Sequence, residues 1–175
     1  MTSVPPNDIT RDFILKLFYN AQKANYEVND GWGPGYSWFR GKVASGKAWD
    51  FKDNDYKSYK DTGVIVCGRE YRNDMPGNFH YGFVGKAAGF SNWTLFNAAG
   101  AAQIKAGTSS RKYHCTNYDD PEDQEFIRLG ILLYKLCGIH VDKYNLGEIL
   151  GRRNEKTCGP NFKKILLEQG IKQIF

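Results

Sequence analysis

Gly77-Asn78-Phe79-His80-Tyr81-Gly82-Phe83-Val84-Gly85 packs three glycines, three aromatics, an amide and an imidazole into nine residues. Glycine lets a backbone take positive φ and approach a ligand or another segment closely. Phe79, Tyr81 and Phe83 supply stiff, flat walls. Asn78, His80 and Tyr81 supply a donor and acceptor amide, a group that titrates near neutrality and a phenol. One reading makes this stretch the floor of an active site. The other makes it a tight turn before a helix, with aromatics that fill the core. The alternation of Phe79, Tyr81 and Phe83 also fits a short strand or hairpin arm.

Outward from this stretch the pattern is helical. Ser91 is a good N-cap, and Leu95, Ala99 and Ala102 repeat at helical spacing from Trp93 to about Lys105. The small residues Ala98 to Ala102 suit close packing, so this segment is expected to be the central buried helix. Gln103, a polar group within it, must be hydrogen-bonded if buried. Upstream, Val64-Ile65-Val66-Cys67 reads as a strand or a buried turn. Trp49-Asp50-Phe51-Lys52 places an acid and a base two apart, on one side if the chain is extended.

The flanks are helical as well. Asn7 or Asp8 caps a helix to about Asn25, with Ile9, Phe13, Leu17 and Ala21 as its stripe. Asp30 to Gly35 breaks the chain before a short helix from Tyr36 to Val43. Asp119-Asp120-Pro121-Glu122-Asp123-Gln124 has an N-cap, a proline at the first helical position and acids in the first turn. That helix runs to about Leu136, where Gly138 stops it. Two more are expected, Asp142 to Leu150 and Pro160 to Ile174. The fold class is mainly α: residues 1–175 form a single compact helical domain with at most a small β-hairpin near residues 64–84.

At 175 residues, with 41% hydrophobic and 25% charged, the chain can bury a core and is not globally disordered. A net charge of +5 suits an anionic partner, although no long Lys/Arg stripe appears. Cys67, Cys115, Cys137 and Cys158 form no C-x-x-C pair, and with His80, His114 and His140 they lack zinc-site spacing. Two disulfides and four reduced thiols both remain open. No signal-peptide pattern and no membrane-spanning run is present, and the opening Pro5-Pro6 reads as the start of an excised domain.

Three segments in order carry a resemblance: Asp30-Gly31-Trp32-Gly33-Pro34-Gly35-Tyr36-Ser37-Trp38-Phe39 leading to Trp49-Asp50-Phe51-Lys52, then Gly77 to Gly85, then Ala106-Gly107-Thr108-Ser109 leading to Asp119 to Gln124. Over roughly residues 28–135 the chain resembles the bacterial polymorphic toxin domains of type 44. The resemblance implies the C-terminal toxin of a larger secreted protein, such as an Rhs-type effector. It is made in the producer cytoplasm and delivered, for instance by type VI secretion, into a competing bacterium. It also implies a cognate immunity protein as partner. His80 stands where the family is expected to carry an amide, and Ser110 to Asn117 differs in composition from the family pattern.

Three functions are compatible with these residues. A ribonuclease, the favoured reading, needs a base, an acid and a cation. His80, Asp50 or Asp120, and Lys52 fill those roles, with Tyr81 stacking on a base. A metal-dependent version would place Mg²⁺ on Asp50, Asp119, Asp120 and Asp123; otherwise no cofactor is expected. A peptidoglycan glycan hydrolase would pair Asp50 with Asp120 and hold sugar rings on Trp32, Trp38, Trp49 and Tyr81. A non-enzymatic toxin is the third. The candidate catalytic set is therefore Asp50, Lys52, Asn78, His80, Tyr81, Asp119 and Asp120, and the candidate substrate-binding set Trp32, Trp49, Phe79, Gln103 and Asp123.

Overall fold

The computed structural model describes residues 5–30 and 35–153. Helix α1 spans Thr10–Asn25 and buries Phe13, Leu17, Ala21 and Ala24. The Asp8 carboxylate starts it by accepting the Thr10 amide at 3.0 Å and the Thr10 hydroxyl at 2.6 Å. A π-helical turn, Tyr26–Asp30, follows. Helix α2, Gly35–Val43, buries Phe39.

Strands β1 (Val64–Val66) and β2 (Arg69–Tyr71) pair antiparallel with Val64 opposite Tyr71 and Val66 opposite Arg69. Cys67 and Gly68 join them at φ 52° and 77°. Positive φ at both central residues is the turn geometry that matches strand twist in a two-residue hairpin. The hairpin hangs on the start of α1 through a parallel bridge between Asp8 and Ile65. The mainly-α expectation with one small hairpin holds.

The glycine-rich stretch is neither turn nor strand. It lies within helix α3, Met75–Ala87, with Pro76 in its first turn and Phe79, His80, Gly82, Phe83, Val84 and Gly85 all buried. Helix α5, Pro121–Cys137, packs against it. A Cβ on Gly82 would lie 2.1 Å from the Ile127 carbonyl oxygen, and one on Gly130 would lie 2.0 Å from that of Phe79. The glycines are there because two helix backbones touch, not because the chain turns.

The central helix is α5 rather than the alanine-rich segment. Every residue from Gln124 to Leu133 is buried, including an Arg128–Glu125 ion pair closed by a 2.6 Å hydrogen bond. Helix α4, Asn92–Ala106, starts as expected, with the Ser91 hydroxyl accepting the Thr94 amide. It buries only Asn92, Leu95, Phe96 and Gly100, and Ala101 and Ala102 face solvent. Helix α6, Lys143–Gly151, is capped reciprocally by Asp142 and Asn145.

The expected helix from Pro160 to Ile174, and Cys158, lie outside the described residues. Cys67 and Cys137 are free thiols and Cys115 is disulfide-bonded, so the four cysteines neither form two disulfides nor all stay reduced. Among the described residues no helix is long and apolar enough to cross a membrane.

Candidate active site

The N-terminus of α5 gathers polar groups from three helices. Asp120 caps it, accepting the Glu122 amide at 2.9 Å. One turn in, Asp123 points back toward α3 and α4. Its Oδ1 accepts a hydrogen bond from Asn78 Nδ2 at 2.7 Å, and its Oδ2 accepts one from Gln103 Nε2 at 3.0 Å. Gln103 is steadied in turn by the Thr108 hydroxyl, which donates to its Oε1 at 3.1 Å. Three residues singled out along the chain, Asn78, Gln103 and Asp123, thus meet at one carboxylate.

That carboxylate does not ionise normally. Burial, with the charges of Asp74 and Asp120, pushes Asp123 up to about 7, against the pull of Arg72 and Lys52. Asp119 is shifted in the same direction. It is 2% exposed, and burial together with the charge of Asp123 raises it to about 8, against a smaller pull from the Gln124 side chain. The Gln124 amide is committed elsewhere, donating to the Phe96 carbonyl at 3.2 Å. Asp119 Oδ1 accepts the Asp120 amide at 3.1 Å, while its buried Oδ2 has no hydrogen-bond partner among the described residues. Two interacting acids of this kind release their protons as a pair, around neutrality.

The loop that carries Asp119 is strained. Asn117 and Tyr118 both sit in left-handed backbone, at φ 54° and 66°. The Asn117 carbonyl rests on α4, where a Cβ on Gly100 would lie 1.9 Å from its oxygen. Strained backbone concentrates at functional sites, because elsewhere it is lost without cost.

The field is acidic at the centre and mixed at the rim. Arg72 is held by Asp74 and, at 3.0 Å, by Glu122, which also pairs with Arg153. These two arginines are therefore already partnered. Lys52 is exposed and acts on both Asp50 and Asp123.

The remaining candidates make no hydrogen bond to this cluster, although Tyr81 is near enough to Asp119 to feel its charge. Asp50 is buried in a turn, accepts the Gly46 amide at 2.8 Å, and is raised by burial. No strand forms there, so Asp50 faces inward and Lys52 outward. His80 is fully buried between Trp49 and Phe51, at ring distances of 5.4 and 4.4 Å, with Nε2 2.9 Å from Asn20 Nδ2. Burial and the nearby Lys16 lower it to about 3, so it is neutral at physiological pH. Phe79 packs edge-on to Phe13. Tyr81 donates to the Leu95 carbonyl at 3.0 Å, and its hydroxyl is pushed well above the usual range by burial. Trp32 lies outside the described residues. No three His, Cys, Asp or Glu side chains among the described residues converge so as to hold a metal ion.

Sequence reasoning did not single out Arg72, Asp74 or Tyr118. Asp74 stands just before Met75-Pro76, a helix-start signal that could have drawn it in. Nothing local marks Tyr118.

Residues 37–136 match the family model described as bacterial toxin 44. That span contains Asn78, Gln103, Asp119, Asp120, Asp123 and Gly100. Neither a curated protein nor a solved structure matches the chain.

Proposed function

We propose that the chain, which belongs to the bacterial toxin 44 family, is a toxin domain that acts by hydrolysing a cell-wall glycan with Asp123 as the proton donor. The observation that supports this most directly is a carboxyl raised to about 7, held by two amides and set beside Asp74, Asp120 and a second raised acid, Asp119. Glycoside hydrolysis needs a carboxylic acid that still carries its proton near neutrality, to protonate the leaving oxygen. It also needs negative charge facing the anomeric carbon as that carbon becomes cationic. Asp120, the cap of α5, supplies that charge, whereas Asp74 is held by Arg72.

The amides have a defined part in this scheme. Asn78 and Gln103 donate to Asp123, fix its orientation and stabilise its ionised form after proton transfer. Asp119 sits behind it and opposes that ionisation by its own charge when deprotonated.

A phosphodiester would meet the opposite environment. The carboxylates that favour a developing cation repel a phosphorane, and Arg72 is already paired with two acids. A ribonuclease remains the second reading because Lys52 is exposed and acts on both Asp50 and Asp123, and because the chain carries +5.

The family membership suggests delivery into a target bacterium and neutralisation by an immunity protein. For a glycan hydrolase the target compartment is the periplasm. The experiment is expression with and without a periplasmic signal. Growth arrest and rounding only in the exported form support glycan hydrolysis. Arrest in the cytoplasm with degraded RNA supports the ribonuclease.

A further inference from the structure

Cys115 is disulfide-bonded, whereas Cys67 and Cys137 are free thiols. The chain carries one further cysteine, Cys158. By elimination it is the partner of Cys115. It follows Arg153, the last described residue, by five positions, a reach of at most about 18 Å. The two free thiols are poor competitors for this bond. Burial pushes both above the ordinary thiol value, and the thiolate is the form that exchanges.

The covalent path from Arg153 to Cys115 joins two segments that border the start of α5. Arg153 pairs with Glu122, in the first turn of α5, and its guanidinium lies 5.0 Å from the centre of the Phe126 ring. Just before it, the Arg152 carbonyl accepts a hydrogen bond from Arg128 Nη2 at 3.2 Å. At the other end, Cys115 lies in the 3₁₀ segment Arg111–Thr116, which leads into Asp119 and Asp120. That segment buries only Thr116, and its backbone departs from helical geometry at Tyr113.

The same segment anchors the strained loop of the candidate site. The Thr116 hydroxyl donates to the Asp119 carbonyl at 2.6 Å, and the Asp119 amide donates back to the Thr116 carbonyl at 3.0 Å. The Tyr118 amide donates to the Tyr113 carbonyl at 2.9 Å. Asn117 and Tyr118, enclosed by these bonds, hold left-handed backbone. Such strain persists only where the surroundings over-determine it. A covalent tie at Cys115 adds a restraint directly beside Thr116.

We propose that the Cys115–Cys158 disulfide is acquired after export and switches the candidate site on, by fixing the loop that carries Asp119 and Asp120 at the first turn of α5. In the producer cytoplasm both thiols stay reduced. In the periplasm a thiol–disulfide oxidoreductase, in its disulfide form, is the oxidant. One thiolate of the pair attacks that disulfide, and the other then displaces the mixed disulfide. The two thiols give up two protons and two electrons as the S–S bond forms, and the oxidoreductase leaves as its dithiol. The producer thus holds the domain in its less active form. This inference rests on the glycan-hydrolase reading, which puts the target in the periplasm.

The experiment compares the 175-residue chain oxidised with glutathione disulfide and reduced with dithiothreitol, alongside Cys115→Ser, Cys158→Ser and Cys137→Ser. Iodoacetamide labelling in denaturant counts thiols, a thermal melt reports the fold, and release of reducing ends from purified sacculi reads the site. The oxidised wild type is expected to take two labels and the reduced form four. Reduction is expected to slow release about tenfold and to lower the melting temperature by about 10 °C with the domain still folded. Cys115→Ser and Cys158→Ser show the slow rate in both conditions, while Cys137→Ser keeps the redox response. Four labels on the oxidised form, or equal rates in the two redox states, overturn the proposal. So does a reduced form that has unfolded, which would make the bond structural alone. If the oxidised wild type takes two labels and releases no reducing ends, the hydrolase reading has failed and the switch with it, and the label count tells that case from a missing disulfide.

Discussion

Gly82 of α3 lies so close to Ile127 of α5 that a methyl group on it would fall 2.1 Å from the Ile127 carbonyl oxygen, and Gly130 faces Phe79 in the same way from the other side. The obstacle is backbone in both cases, so no side chain can rotate out of the way. This contact sets the spacing of α3 and α5, and therefore the meeting of Asn78 with Asp123.

Gly82→Ala and Gly130→Ala are expected to destabilise the domain by at least about 3 kcal/mol each, the upper end for overpacking. Gly41 is the control. It sits inside α2, and a methyl group on it would meet nothing within 4 Å, so Gly41→Ala should stabilise by about 0.5–1 kcal/mol through helix propensity. Urea unfolding midpoints of the three variants check this. Equal effects at all three positions would contradict the close helix contact.

How much of this could be read along the chain differs by element. Helices α1, α5 and α6 were readable because Asp8, Asp120 and Asp142 sit at their starts and their apolar stripes repeat cleanly. Helix α3 was not, because it is buried on several sides. A helix apolar all round has no 3.6-residue contrast, and Phe79, Tyr81 and Phe83 then mimic strand alternation. The alanines of α4 suggest close packing, yet Ala101 and Ala102 face solvent and the tight backbone contact is made by Gly100. Asp123 looked like one more acid in a first turn. Its role depends on Asn78 and Gln103, 45 and 20 residues away, and no local pattern encodes such a meeting.

His80 is expected to stay neutral across the range in which an ordinary histidine titrates. Burial lowers it from 6.5 to about 3. The unfolded chain therefore binds a proton that the folded chain refuses, and this group costs stability as pH falls from about 6.5 toward 3. Its imidazole NMR shifts should not move between pH 5 and 8. A midpoint near 6.5 would contradict its burial.

Asp119 and Asp123 act in the other direction. Their folded values, about 8 and about 7, lie above 3.8. The folded state holds protons that the unfolded state releases, so their contribution is present at low pH and lost as pH rises from about 4 through 8. Asp123→Asn removes part of this dependence. Its stability relative to wild type should therefore grow from pH 5 to pH 8, as read from melting temperatures. A constant difference would contradict the raised value.

Asn78→Ala removes a donor that favours ionised Asp123. The carboxyl should then hold its proton more tightly, and the basic limb of the pH–rate profile for glycan hydrolysis should move to higher pH. Gln103→Ala is expected to act in the same sense, by its 3.0 Å bond to the other oxygen. A limb that moves to lower pH would show that the two amides do not serve Asp123.

The most direct measurement is release of new reducing ends from purified sacculi by the domain and by its Asp123→Asn variant, with total RNA incubated in parallel. Asparagine keeps the shape of the side chain but has no acidic proton to give. The wild-type domain is expected to release reducing ends and leave RNA intact, and Asp123→Asn to be slower by about 10²- to 10⁴-fold with its fold retained. A variant as active as wild type, or a wild-type domain that degrades RNA and leaves sacculi untouched, would contradict it.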